Sequence, residues 1–362
     1  MKFNQASGRR TISGNNLNSK IQMEIMQPFL SIIIPTYNRA HMLSVTMDSF
    51  LELNYPQNKY EIIVADNNST DNTRKIVERY VGNSRASVKY FFEERQGVHY
   101  ARNSAAKQAI GDILYFTDDD MIADPALLDE LVKIFDLFPE VGCATGLILP
   151  LFEKEPPPWV RRCLWNGYLS LTEKDKPEEL IISKNDIVYS CHQAIRRNLF
   201  FQAGGFNPEN TAGTWIGDGE TGLNIKIKNL GVKFAYTSKS VIYHMIPPSR
   251  MTLEYLITRI GNQGFCDSYT DYRKHRDKSK ILSLMLRRNT IGIAKTFCFT
   301  ILQIAMRRRT WHFLPANFMY FHKRNIYDLK LYKNESFRKM TEIDDWINSE
   351  QISTKQTRAI DI

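Results

Sequence analysis

From Leu30 onward, short continuous apolar runs alternate with segments whose apolar positions recur three and four residues apart. LSIIIP predicts a strand, followed by a helix near His41 to Leu53, and YEIIVA a second strand, followed by a helix from Thr70 to Tyr80. VKYFF predicts a third strand with a helix near His99 to Ala109, and DILYFT a fourth with a helix near Pro125 to Phe138. Strands that are apolar throughout, alternating with amphipathic helices, predict a parallel sheet covered on both faces. Ligands of such sheets bind beyond the carboxyl ends of the strands. Here those ends read PTYNR, DNNSTD, EERQG and TDDD, and all four are polar.

After Pro150 the pattern breaks into a Pro-rich aromatic stretch, EKEPPPWVRRCLW, and a charged loop, LTEKDKPEEL. DIVYSCHQAI predicts a further strand. A helix follows GGFNPENTAGTWIGDGETGL, with Leu223, Ile227 and Leu230 on one face, and VKFAY and SVIYH predict two closing strands. Beyond Arg250 the chain reads as mostly helical. The expected division is a polar leader over 1–27, an α/β catalytic domain over 28–250, and a mainly helical basic region over 251–362.

Composition agrees with a folded protein: of 362 residues, 43% are hydrophobic and 24% charged. The five cysteines are scattered and include no CxxC pair, so neither a zinc site nor a disulfide framework is indicated, and a reducing, cytoplasmic setting is expected. The first twenty residues lack the apolar core of a signal peptide. The net charge of +9 is local, because 273–309 holds eleven Lys and Arg against one acid, Asp277. That distribution argues against a general nucleic-acid footprint. Within it, TFCFTILQIAM is too short to span a bilayer. Its basic flanks suit a helix lying at an anionic membrane surface, at the inner face of the cell membrane. A helix packed on the catalytic domain is the alternative.

The candidate chemistry centres on Asp118, Asp119 and Asp120, three carboxylates at the end of an apolar strand. An exposed acidic turn or a helix cap before PALLDELVKIF is the plain reading. Among ligand sites, a dinucleotide fold would put GxGxxG where PTYNRAHM stands, and no Walker A pattern occurs. An EF-hand beginning at Asp118 would need an oxygen ligand and a glycine where Ile122 and Ala123 lie. A helical DDxxD site does not match a cluster that follows a strand. Metal–diphosphate chemistry remains: a hard divalent cation on one or two Asp neutralises a diphosphate leaving group. In an extended segment Asp118 and Asp120 share a side and Asp119 points away.

Taken together, SIIIPTYNR, IIVADNNSTDNT, GVHYARNSAAKQAIGDILYFTDDD and GGFNPEN…GDGETGLNIKIKNLGVKFAY closely resemble the family 2 glycosyltransferases, over about Leu30 to His244. The resemblance implies a GT-A (nucleotide-diphospho-sugar transferase) fold, with a mostly parallel central sheet covered by helices and a helical C-terminal extension. It implies inverting transfer from a nucleoside-diphosphate sugar, a UDP-sugar favoured, to a glycan or lipid-linked acceptor, with Mn²⁺ or Mg²⁺ as cofactor. Pro35, Thr36, Asn38, Arg39, Asp66, Arg95, Arg102, Asp118 and Asp119 would then serve the nucleotide sugar, and Asp120 with His244 the metal. Asn67 and Asn68 stand where the family often has a second acid. Glu220 falls in the general-base register, three residues before Leu223, with Asp218 as competitor or as a helix cap. Gly217, Gly219 and Gly222 suggest close approach of backbone to a ligand. Trp159, Trp165 and His192 are expected near the acceptor. A non-catalytic nucleotide-sugar-binding protein is the alternative from another class. Nucleotidyl transfer is disfavoured, because no Gly-rich basic loop follows the first strand.

Overall fold

The computed structural model describes residues 27–165, 167–172, 188–208, 217–307 and 310–348. The polar leader, apart from Gln27, lies outside the described residues, as do most of the charged loop after Leu171 and Arg308 and Arg309.

The four strand–helix units form as the periodicity predicts. β1 (Leu30–Thr36) precedes α1 (Ala40–Leu51), β2 (Tyr60–Asp66) precedes α2 (Thr73–Glu78), β3 (Ser87–Phe92) precedes α3 (Val98–Gln108), and β4 (Ile113–Thr117) leads to the short β5 (Met121–Ala123) and α4 (Leu127–Leu137). Next come β6 (Val141–Phe152), α5 (Pro158–Arg162), β7 (His192–Arg196), α6 (Arg197–Gln202), α7 (Gly219–Asn229) and β8 (Lys233–Ile246). The sheet order is β3-β2-β1-β4-β7-β6-β8-β5, and only β7 and β5 run against their neighbours. Alternation along β1 explains the double cover. Ile32 and Ile34 join the cluster that holds Leu43, Phe50 and Leu131, while Ile33 joins the opposite one with Ala101, Ala105 and Phe206.

The strand expected over DIVYSCHQAI begins only at His192, β5 was not expected, and two longer strands differ from the apolar pattern. β6 is a twelve-residue strand that the apolar pattern alone does not mark, because Gly142, Gly146 and Pro150 punctuate it. A Cβ at Gly146 would overlap the Ser240 carbonyl and the His192 ring, so only glycine lets β6 lie this close to β8. VKFAY and SVIYH are one strand, β8, paired with β6 along its length. The register shifts between Gly146 and Leu147, and the polar TSK absorbs the irregularity.

The C-terminal region is helical: α8 (Leu253–His275), α9 (Lys278–Arg287), α10 (Ile293–Ala305), α11 (Phe313–Lys333) and α12 (Glu335–Thr341). α8 and α11 pack together around Tyr269, Tyr272, Tyr327 and Leu331. α10 is turned inside out. Its one buried residue is Thr300, which accepts a hydrogen bond from Asn317 Nδ2 at 2.7 Å, while Ile301 and Leu302 are more than half exposed.

His192, expected near an acceptor, is a core residue at the start of β7. It is fully buried, with Nδ1 2.9 Å from the Tyr115 hydroxyl and Nε2 3.2 Å from the Ser240 carbonyl. A carbonyl only accepts, so Nε2 carries the proton and Nδ1 accepts from Tyr115. Burial pushes its pKa down from 6.5 to about 4. The fold therefore holds a neutral ring that the unfolded chain protonates. This contribution is complete above about pH 6.5 and is lost as pH falls towards about 4, at up to about 1.4 kcal/mol per unit. In urea titrations, His192→Gln should flatten the fall in stability between those pH values. A wild-type and variant difference that stays constant across the window would show that this ring does not titrate on unfolding.

Candidate active site

β4 ends at Thr117, and residues 118–120 turn before β5 begins, so the alternation expected of an extended segment is lost. Asp119 and Asp120 are buried, whereas the Asp118 side chain is 34% exposed. Each carboxylate meets a cation, and Arg39 is shared between two of them. Asp119 accepts from Thr36 Oγ1 at 2.7 Å and from Arg39 Nη1 at 3.0 Å, and the same Nη1 lies 3.0 Å from Asp120 Oδ2. Arg250 Nη2 reaches Asp120 Oδ2 at 2.7 Å, and Arg102 pairs with Asp118. Burial, with Asp120 and Asp118 nearby, pushes Asp119 up to about 6 against the pull of Arg39. Burial acts on Asp120 too, but the Arg250 and Arg39 guanidiniums overcome it and hold this carboxyl well below the usual range.

A cavity of about 670 Å³ opens beside this turn, beyond the ends of β1 and β4, where a sheet of this kind binds ligands. Pro35, Thr36, Arg39, Arg102, Asp118, Asp119, His244, Asp218 and Glu220 line it. Glu220 stands in the first turn of α7, and its Oε2 accepts from the Ser190 amide at 2.7 Å and from Ser190 Oγ at 2.6 Å. Ser190 Oγ in turn accepts from Arg102 Nη1 at 2.9 Å. A continuous polar chain thus runs Asp118–Arg102–Ser190–Glu220 across the cavity.

Asp218 has a different setting. It occupies the N-cap position of α7 without a side-chain capping bond. Its oxygens accept from Asn207 Nδ2 at 2.6 Å and Thr270 Oγ1 at 2.7 Å, and burial raises its pKa. A Cβ at Gly222 would overlap both Asp218 and Asn207, so this glycine answers to internal packing and not to the approach of a ligand.

Several expected residues are held by other partners and do not line the cavity. Asn38 takes a left-handed conformation, φ +53°, and its Oδ1 accepts from the Thr70 amide at 2.8 Å. Asp66 is held by the Tyr90 hydroxyl at 2.7 Å and the Ser69 amide at 2.9 Å. Arg95 forks onto Glu93, both contacts at 2.9 Å. Trp159 is sandwiched between Tyr168 and His312, at ring distances of 6.2 and 4.5 Å, so its faces serve packing and not an acceptor sugar. Trp165 is exposed outside the cavity lining. Asn67 spans to the loop after β3: its Nδ2 donates to Arg95 O at 2.6 Å and its Oδ1 accepts from the Gly97 amide at 2.7 Å. An amide with both donor and acceptor makes that clamp, and a carboxylate could not.

Sequence reasoning missed Ser190, Arg250 and the wall supplied by α8, where Arg259, Asn262 and Gln263 line the cavity. The signal for Arg250 was its position six residues after His244, with Pro247 and Pro248 between them to fix the chain.

The residues present fit a divalent cation. Asp120 Oδ1 is buried without a hydrogen-bond partner, and His244 Nε2 lies 3.7 Å from Asp120 Oδ2. Two donors each about 2.1 Å from one ion can be at most about 4.2 Å apart. Among the described residues no cluster of three or more His, Cys, Asp or Glu converges, so phosphate oxygens and water would complete the shell, as suits Mg²⁺ and ions like it.

Comparison with known proteins gives concordant findings. Residues 31–200 match the family model described as glycosyl transferase family 2. Validoxylamine A glucosyltransferase of Streptomyces hygroscopicus subsp. jinggangensis (strain 5008) is 36% identical over 107 residues, 29% of this chain and 25% of the relative. Poly(ribitol-phosphate) beta-N-acetylglucosaminyltransferase TarS of Staphylococcus aureus (strain Mu50 / ATCC 700699) is 31% identical over 106 residues, 29% of this chain and 18% of the relative. The match therefore spans a quarter or less of these two relatives. The solved mannosyltransferase PcManGT from Pyrobaculum calidifontis, in complex with GDP-Man and Mn²⁺, superposes with a TM-score of 0.56 at 20% identity, covering 84% of this chain and 88% of that one. The family resemblance and the GT-A fold expected from the sequence are both borne out.

Proposed function

Starting from the family 2 glycosyl transferase segment at residues 31–200, we propose that this protein is an inverting, metal-dependent glycosyltransferase. It moves a sugar from a nucleoside-diphosphate sugar to a hydroxyl of a glycan or lipid-linked acceptor, in cell-surface polysaccharide biosynthesis. The observation that carries the reading is Glu220, set on the cavity wall and joined to the acidic turn through Ser190 and Arg102. The TarS relative supports a polymer acceptor, and the GDP-Man complex of PcManGT supports a nucleotide-sugar donor.

In this mechanism Glu220 takes the proton of the acceptor hydroxyl while that oxygen attacks the anomeric carbon from the face opposite the diphosphate. The bond between that carbon and the diphosphate oxygen breaks, the new glycosidic bond forms with inversion, and the electron pair leaves on the diphosphate. Ser190 fixes the Glu220 carboxylate, and Arg39 and Arg102 set positive charge beside the donor position. A bound divalent cation, held by Asp120 and His244, would supply further charge for the leaving diphosphate.

The test is release of nucleoside diphosphate from a panel of UDP- and GDP-sugars, with Mn²⁺ and with EDTA. Binding of nucleotide sugar without release under any condition would favour the non-catalytic reading. Glu220→Gln should bind donor as the wild type does and transfer about 10²–10⁴-fold more slowly. Asp218→Asn should chiefly lower the melting temperature, because it disturbs a buried pair of accepted hydrogen bonds. A folded but inactive Asp218→Asn beside a near-normal Glu220→Gln would move the base two residues upstream.

The inside-out α10 supports peripheral attachment to an anionic membrane, since no described helix is long and apolar enough to cross one. Leu286, Ile291, Ile301 and Leu302 are each more than half exposed, and exposed Lys278, Lys280, Arg287, Lys295 and Arg307 lie among them. The protein should co-sediment with phosphatidylserine vesicles at low salt and be released at high salt. Ile301→Asp with Leu302→Asp should abolish that binding without changing donor hydrolysis. Concentration-dependent self-association with no vesicle binding would assign the face to a second copy of the chain.

A further inference from the structure

Arg250 follows β8 in a single tight turn, Pro248–Met251, and its guanidinium reaches the acidic site. Nη2 donates to Asp120 Oδ2 at 2.7 Å, and Nη1 meets His244 Nε2. The ring's other nitrogen, Nδ1, lies 2.9 Å from the Leu169 carbonyl, which can only accept. The ring proton is therefore on Nδ1, and Nε2 presents its lone pair to Arg250. Register brings the two partners of Arg250 together. Met121 pairs with His244, and the Met245 amide donates to Asp120 O at 2.9 Å.

One guanidinium thus bridges the two atoms that the proposed metal site would use, an Asp120 oxygen and a His244 nitrogen. Both are lone-pair donors, and both are occupied by a fixed cation of the chain itself. Without some cation the buried Asp120 carboxylate would face the Asp119 carboxylate with only the shared Arg39 between them.

We propose that Arg250 is a cation placeholder, a positioning residue that holds Asp120 and His244 in the donor-free enzyme and is displaced from them when a divalent ion binds. The inference rests on the metal site of the proposed function. A displaced guanidinium needs a new anionic partner, and the diphosphate of the donor is the anion that arrives with the metal. Metal and nucleoside diphosphate therefore bind with positive coupling: each is weak alone, and each strengthens the other by the same factor. The Asp120 oxygen that lacks a partner, Oδ1, stays in place throughout as a second donor atom.

The experiment titrates Mn²⁺ into the full chain, following free Mn²⁺ by electron paramagnetic resonance, first alone and then with UDP or GDP. The wild type should bind Mn²⁺ weakly alone and more tightly with nucleotide. Arg250→Met should bind Mn²⁺ alone about tenfold to a hundredfold more tightly than the wild type, the range expected for removing a two-point charged contact, and the nucleotide effect should shrink. If that variant does not fold, Arg250→Lys, which cannot bridge both atoms, should shift in the same direction. Unchanged or weaker Mn²⁺ binding in a folded Arg250 variant would overturn the placeholder. Asp120→Asn separates the two ideas. Mn²⁺ binding that survives this change removes the metal site itself, and a loss of binding leaves Arg250 as the point under test.

Discussion

Three adjacent carboxylates at the end of a buried strand are the constraint around which this protein is organised. Two of them have almost no contact with solvent, and like charges this close cannot all ionise unless cations meet them. The chain meets the demand from three separate elements. Arg39 comes from the start of α1, Arg102 from α3 and Arg250 from the turn after β8, beside the His244 ring. The sheet order places the ends of β1 and β4 side by side, and β5 against β8, so that these side chains converge. The same convergence leaves a cavity with fixed positive charge on its walls, which is the environment a diphosphate requires.

Much of this was legible in the chain. Apolar runs such as SIIIP and ILYF report burial on both faces whatever their neighbours do, and the strands of the first half follow directly. The acidic cluster and Glu220 could be picked out by residue type and spacing, but not the turn over 118–120 that separates the three carboxylates. β6 was hidden by its glycines and proline, and β8 was split in two by TSK. In both strands local punctuation reports a bulge and a close crossing, not an end.

The expected residues that do not line the cavity share one feature. His192, Trp159 and Asp66 have the chemistry for ligand binding, yet each is committed to a neighbour elsewhere in the fold: Ser240, His312 and Tyr90 respectively. Burial and pairing of this kind depend on the sheet order, which no single stretch encodes. Ser190 and Arg250 escaped notice for the converse reason. A serine or an arginine in a loop is unremarkable until the fold sets Glu220 or Asp120 against it.

The bond between Arg250 and Asp120 joins residues 130 positions apart. A ribosome releases the chain from its N-terminus, so the acidic turn emerges long before Arg250, the second of the two arginines that meet Asp120. In that interval β1 to β4 can pair, because their contacts are complete within residues 30–117. The turn after β4 cannot settle, since β5 has no edge to join until β8 is made. Nascent chains that end before residue 250 therefore carry a half-sheet whose acidic end is met by Arg39 and Arg102 alone. The cavity closes only when α8, which supplies its far wall, has left the exit tunnel.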